Sequence, residues 1–216
     1  MVNGLANQAT RALDLLLGKV YRDGGHDFRD YKRGTVTRRL ERRLHATGVR
    51  TYSEYMRFLD AHPEEYQMLI DYLTIPVSSF FRSPYAFQQV ARLVLPELVS
   101  YKRSRKQRSL RFWSTACAHG EEPYSIAILL AEFLEKRRQD FDIEIYATDI
   151  RRQALREAQA GVYSLKDVEG LVPGILENYF TPYDKGFVVR RNIRQMLHFS
   201  YFDLTSTTQP LLPTSL

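Results

Sequence analysis

The chain has 216 residues, with 31 Lys and Arg against 25 Asp and Glu, a formal charge of +6 and a pI near 9.4. At 44% hydrophobic and 26% charged residues it can bury a core, and its length suits one large domain or two small ones. One cysteine excludes an internal disulfide framework and a cysteine-built zinc site, no apolar run reaches the ~18 residues of a membrane span, and Arg11 and Asp14 make residues 1–17 read as a helix and not a signal peptide. The expectation is a cytoplasmic protein whose basic balance points toward nucleic acid, an acidic membrane surface or an acidic protein partner.

Residues 1–73 read as an all-helical domain. A helix over residues 7–21 carries Ala12, Leu13, Leu16, Leu17 and Val20 at helical spacing and ends at Gly24-Gly25. The next helix holds most of the charge. Residues 28–50 contain eight basic side chains against Asp30 and Glu41, a local +6 equal to the surplus of the whole chain. Val36, Leu40 and Leu44 form its apolar stripe, Arg38 and Arg42 project from the far side, Arg39 and Arg43 form a flanking row, and Thr47-Gly48 stops it. Like charges at i, i+4 repel by a few tenths of a kcal/mol, a cost that an anionic partner offsets. A short helix over residues 52–61 follows, then one opened by Pro63 with Tyr66, Leu69, Ile70 and Leu73 inward.

Residues 74–84, TIPVSSFFRSP, break the helical pattern and read as an interdomain linker. A helix over residues 84–102 is expected to turn Phe87, Val90, Leu93, Val94 and Leu98 inward. Residues 102–111 then hold six basic side chains and no acid in a stretch without an apolar stripe, which reads as an exposed, solvated connector. A strand over 110–115, a helix over 121–137, a strand over 141–148 and a helix over 150–159 closed by Gly161 give β-α-β-α, hence a parallel sheet with right-handed crossovers. Phe187-Val188-Val189 reads as a hairpin arm around Arg191-Asn192, and residues 196–201 as a third sheet strand ending at Asp203-Leu204.

Two loops fall at the carboxyl ends of these strands, the edge where open α/β sheets bind ligands. The first, ACAHGEEPYS over residues 116–125, lets a ligand approach a backbone carrying small side chains. Glu121 and Glu122 either complement the dipole of the helix that follows or face a cationic ligand; with no GxGxxG present, a pyrophosphate is a poor match. The second, ATDI over residues 147–150, offers Asp149 to ribose hydroxyls or as a helix N-cap. Together they suggest a nucleoside ligand with a cationic group and no polyphosphate, as in S-adenosylmethionine.

The segment RFWSTACAHGEEPYSIAILL resembles the signature of chemotaxis receptor (CheR-type) methyltransferases. Phe80-Phe81-Arg82 resembles their interdomain segment, residues 146–150 their second-strand motif, and DYKRGTVTRRLERRL their basic second helix, all in the family's order. The resemblance implies a small helical domain, then a class I (Rossmann-like) α/β methyltransferase domain over residues 85–216 with a small β-subdomain at about 187–199. It implies transfer of a methyl group from S-adenosylmethionine, leaving S-adenosylhomocysteine, to glutamate side chains on the cytoplasmic helices of chemoreceptors, with no metal, nucleic acid or membrane insertion. Carried over residue by residue, it makes Ser78, Arg82, Glu122, Asp149, Asp203 and Leu204 cofactor contacts. Arg82 also becomes a candidate orienter of the glutamate, and Arg38, Arg39, Arg42 and Arg43 a receptor-facing set.

Three departures accompany the resemblance. Pro76 stands where some members have a cofactor-contacting Asn, and His119 where the family has a small polar residue, which reads as a tolerated variant. The R-N-V-x-I-Y-F-like motif that the family carries after its third strand is not in this sequence. The expectation is an incomplete sheet whose apolar first strand lies on an open edge, in a fragment, a natural truncation or one part of a split protein, with weak or no methyl transfer. The competing expectation is a non-catalytic receptor-binding or regulatory module. A nucleic-acid-binding role for the arginine helix lacks an accompanying aromatic platform or groove-reading motif.

Overall fold

The computed structural model describes residues 2–74, 78–134 and 140–205, with side chains from residue 10 onward. Linker residues Ile75, Pro76 and Val77, the expected end of the helix over 121–137, and residues 206–216 lie outside the described residues. The chain divides into two compact units, Met1–Ile75 and Pro76–Leu216.

The first unit is four helices: α1 (Val2–Gly24), α2 (Arg33–Thr47), α3 (Tyr52–Ala61) and α4 (Glu64–Leu73). Its core joins Leu16, Leu17 and Val20 of α1 to Val36, Leu40 and Leu44 of α2, Tyr55 and Leu59 of α3, and Leu69, Ile70 and Leu73 of α4. Each fully buried aliphatic side chain contributes roughly 1.5–3 kcal/mol, which explains how a strongly cationic helix is held: its apolar stripe is enclosed. Gly48 closes α2 in the left-handed conformation (φ 74°), and a capping box between Thr51 and Glu54 opens α3.

The second unit begins with α5 (Pro84–Gln89), a π-helical turn (Val90–Val94) and α6 (Leu95–Ser104). The expected inward row is corrected here. Leu93 and Val94 are 63% and 51% exposed, whereas Leu95 and Val99 are buried. The π turn accommodates one extra residue, so the inward face shifts from 94 and 98 to 95 and 99. Pro96, which has no N–H to give to the preceding turn, lies just beyond it.

There follow β1 (Ser109–Thr115), α7 (Glu121–Leu134), β2 (Asp142–Asp149), α8 (Arg152–Ala160), β3 (Val162–Ser164), α9 (Leu165–Val168), α10 (Pro173–Tyr179), β4 (Phe180–Tyr183), β5 (Gly186–Val189), α11 (Arg191–Arg194) and β6 (Leu197–Tyr201). The main sheet is parallel in the order β1-β2-β6, so among the described residues β1 pairs on one side only. Leu110, Ile145 and Ala147 are buried on one face of this sheet, and Tyr124, Ala127, Ile128 and Leu130 of α7 are buried in the same unit.

The small sheet corrects the expected β-subdomain. It is antiparallel in the order β3-β5-β4 and spans residues 162–189, whereas 187–199 was expected. Residues 191–194 are helical, and β6 belongs to the main sheet. The hairpin turn is at Asp184-Lys185, with Asp184 in the left-handed region (φ 48°), not at Arg191-Asn192. Pro182 within β4 hides the strand from a propensity reading, since proline is tolerated only at sheet edges. Gly186 is obligatory for packing: a Cβ there would lie 2.1 Å from the backbone oxygen of Tyr163 on the neighbouring strand.

Candidate functional site

Parallel pairing brings the carboxyl ends of β1, β2 and β6 side by side, at the ~4.8 Å strand spacing. Glu122 follows β1 on α7, Asp149 ends β2, and Asp203 lies two residues beyond β6. Three of the predicted acids thus share one sheet edge for a topological reason.

The first loop is shaped by backbone conformation. Ala116 (φ 54°), Ala118 (φ 50°) and Gly120 (φ 92°) alternate in the left-handed region, which is uncommon for alanine and marks a locally strained turn. Asp149, 6% exposed, holds it: one carboxylate oxygen accepts the Ala118 N–H and the other the Arg151 N–H, both at 2.8 Å. Asp149 is therefore not the N-cap of α8, whose cap is Arg151 without a side-chain bond. The Cys117 N–H donates to the Thr148 carbonyl and the Phe202 N–H to the Asp149 carbonyl, stitching the three strand ends together. Burial, with the Asp149 charge adding to it, pushes the Cys117 thiol far up, so it is no nucleophile at neutral pH.

Glu122 is exposed and accepts from the Ser114 hydroxyl at 2.7 Å. Its neighbour Glu121 behaves differently. It is 6% exposed, and its Oε2 has no hydrogen-bond partner. Asp203 accepts from the N–H and the hydroxyl of Thr205, and Leu204 is 56% exposed.

The linker is seated on the second unit. The Phe81 N–H donates to the Ser125 hydroxyl at 2.9 Å, and that hydroxyl donates to the Glu121 carbonyl. The Phe80 ring packs edge-on to Tyr163 (4.7 Å) and Phe180 (5.3 Å). Arg82 stands exposed between Phe81 (φ 48°) and Ser83 (φ 65°), two non-glycine residues in the left-handed region. Backbone strain therefore flanks Arg82 on both sides. Ser78 is half-buried.

In the first unit the four arginines separate into two pairs. Arg38 and Arg42 are exposed. Arg43 grips the buried Glu65 in a bidentate ion pair, Glu65 also accepts from the Tyr55 hydroxyl, and Arg39 donates to the Leu73 carbonyl. Arg39 and Arg43 of the expected receptor-facing set are thus engaged inside the domain, whereas Arg38 and Arg42 are not buried.

Several contributors were not picked out from sequence. Ser114 steadies Glu122, Tyr163 donates to the His119 carbonyl, and His119 Nδ1 lies 2.8 Å from Glu157 Oε2 of α8. His119, read as a tolerated variant, ties the loop to the next helix. Ser114 had a sequence signal, being on the same strand face as Leu110 and Phe112 where an apolar residue is expected; His119 and Tyr163 had none.

S-adenosylmethionine fits this arrangement chemically. Exposed Glu122 and half-buried Asp203 suit ribose hydroxyls and a cation, and the orphaned Glu121 oxygen is an acceptor without a donor. A Cβ on Gly120 would meet Ala158 Cβ at 2.8 Å and the Tyr163 hydroxyl at 3.2 Å, so the loop packs tightly on its outer side. Among the described residues no group of three or more His, Cys, Asp or Glu side chains is arranged to hold a metal ion.

Comparison with known proteins bears on this site directly. Residues 76–214 match the family model described as CheR methyltransferase, SAM binding domain, and residues 11–74 match the CheR methyltransferase, all-alpha domain. The chain is 30% identical over 201 residues to a chemotaxis protein methyltransferase of Borreliella burgdorferi, with 92% of this chain and 71% of that protein aligned. It is 34% identical over 191 residues to a chemotaxis protein methyltransferase of Salmonella typhimurium, with 86% of this chain and 62% of that protein aligned. It is also 34% identical over 183 residues to an uncharacterized 104.1 kDa protein of Rhodobacter capsulatus, where it spans 85% of itself and 19% of the relative.

Proposed function

Because the chain belongs to the CheR methyltransferase family, we propose that it transfers a methyl group from S-adenosylmethionine to glutamate side chains of chemoreceptors in the cytoplasm. The observation that carries this reading is the convergence of Glu122, Asp149 and Asp203 at one sheet edge, with the strained segment presenting Arg82 in the same unit. When bound, S-adenosylmethionine supplies an electrophilic methyl group on a sulfonium centre. Glu122, Asp149, Asp203, Leu204 and Ser78 hold it.

The accepting glutamate is ionised at pH 7, its free pKa being ~4.3, so the protein need not supply a general base. Its work is positioning and desolvation of oppositely charged reactants. Arg82 orients a carboxylate through the planar, forked donors of its guanidinium. On the first unit, exposed Arg38 and Arg42 meet the acidic face of a receptor helix, while Arg39 and Arg43 hold their helix in place.

Transfer of labelled methyl groups to receptor glutamates, together with calorimetric binding of S-adenosylhomocysteine, tests the reading. Arg82→Ala is expected to lower transfer about 10²-fold while shifting unfolding free energy by no more than ~0.5 kcal/mol, as for an exposed residue. Equal transfer by the variant would remove Arg82 from the site. The alternative reading is a non-catalytic receptor-binding or regulatory module. Receptor binding without either cofactor binding or methyl transfer would select it.

A further inference from the structure

The second unit carries its own cationic pole, separate from the arginine helix. Lys102, Arg103, Arg105, Lys106 and Arg108 occupy seven consecutive positions without an acid. They lie on the last turn of α6 and the connection into β1, and all but half-buried Lys102 are exposed. Their charge is little compensated. Arg103 makes a loose 3.4 Å contact with exposed Asp140, Arg105 lies over the Tyr101 ring at 4.6 Å, and Lys102, Lys106 and Arg108 form no ion pair with a described residue.

The location is informative. All three strands of the main sheet run parallel, so the residues before β1 sit at the amino end while the loop over 116–120 sits at the carboxyl end, about 20 Å away along a seven-residue strand. A partner bound at the pole leaves the cofactor edge open. The helix leading to the pole exposes Leu93 (63%), Val94 (51%) and Tyr101 (50%), the first two turned outward by the π turn. Exposed aliphatic side chains followed by a dense Lys/Arg cluster form an interfacial pattern. Nucleic acid is a poorer match, because Lys102 and Arg103 lie on the last turn of α6 while Arg105, Lys106 and Arg108 follow on an irregular connection, so the cluster presents no continuous helix to a groove.

We propose that the pole formed by Lys102, Arg103, Arg105, Lys106 and Arg108 is a peripheral docking surface for anionic lipid headgroups. It holds the methyltransferase unit at a membrane surface with its cofactor edge away from the pole. Attraction of this kind is worth about fivefold in affinity per cation and fades with salt.

Co-sedimentation of the full chain with vesicles of equal phosphatidylglycerol and phosphatidylcholine, against pure phosphatidylcholine, tests it. The wild type is expected to bind the anionic vesicles, and to release them when salt rises from about 0.1 to about 0.5 M. The quadruple substitution Lys102→Gln, Arg105→Gln, Lys106→Gln and Arg108→Gln is expected to weaken binding by at least ~100-fold with an unchanged melting temperature. Arg38→Gln with Arg42→Gln is expected to leave it within about threefold, since those residues are not part of the pole. Equal binding to both vesicle types, loss through the Arg38/Arg42 pair in place of the quadruple variant, or tighter binding to duplex DNA than to anionic vesicles would each overturn the proposal.

Discussion

Replacing Arg43 by alanine is expected to destabilise the helical unit by about 3–5 kcal/mol, far more than a surface arginine costs. The reason lies with its partner. Glu65 is 3% exposed, and its carboxylate is satisfied by the Arg43 guanidinium and the Tyr55 hydroxyl. Removing the guanidinium leaves an uncompensated buried charge. Replacing the whole cluster with apolar residues (Arg43→Met, Glu65→Leu, Tyr55→Phe) is expected to be near neutral, because the two desolvation costs then vanish together with the attraction. Denaturant melts of the three proteins measure both outcomes. Arg42→Ala, by contrast, should change stability by less than ~0.5 kcal/mol and act only on receptor binding.

The same cluster predicts a pH dependence. Burial pushes the Glu65 carboxyl up, but the hydrogen bonds from Arg43 and Tyr55 outweigh it, and the group is held below its ordinary value. A depressed carboxyl contributes stability that is full above its unfolded pKa, ~4.3, and is lost as pH falls through the lower folded value. In Arg43→Ala burial acts unopposed by the ion pair, so that variant is relieved as the carboxyl protonates. The stability gap between the two proteins is therefore expected to narrow below about pH 4. A gap that stays constant from neutral to acid pH would show that Glu65 is not the buried charge at issue.

The two arginine pairs also show what a sequence can and cannot disclose. The stripe Val36-Leu40-Leu44 is legible because helical periodicity is local, and the structure encloses it. The difference between Arg42 and Arg43 is not local: it depends on a carboxylate 22 residues downstream, on another helix. The helix over 84–102 is misread for a related reason. Periodicity assumes 3.6 residues per turn, and one π turn moves every later residue round the axis. At the site, the family resemblance singles out Glu122, Asp149 and Asp203, and parallel pairing gathers them because each stands at or after a strand end. The roles of Ser114, His119 and Tyr163 are not, since each depends on a partner 8 to 44 residues away. The small sheet is hidden by Pro182 and by a turn whose left-handed residue is Asp184, not glycine.

Gly120→Ala is expected to have the second large effect, on stability and cofactor binding together. At φ 92° an L side chain is strained by roughly 1–2 kcal/mol. The added Cβ would also lie 2.8 Å from Ala158 Cβ and 3.3 Å from Ala158 Cα, so α8 or the loop must move, an overpacking cost of typically 1–3 kcal/mol. Together these give about 2–5 kcal/mol, readable in a urea melt. The displacement propagates to the site by a short route. The Gly120 N–H donates to the Cys117 carbonyl, and the adjacent Ala118 N–H is held by Asp149. A shift of about 1 Å at such a loop costs on the order of 10²-fold in transfer rate. Gly174→Ala is the matched control. No atom lies within 4 Å of its added Cβ, and it sits in α10, where alanine is the better helix former by up to ~1 kcal/mol. If Gly120→Ala melts and binds S-adenosylhomocysteine as the wild type does, the contact between loop and α8 is not what shapes the cofactor edge. If it melts early but binds normally, the glycine serves the fold alone, and the loop tolerates movement in spite of the Asp149 hydrogen bonds.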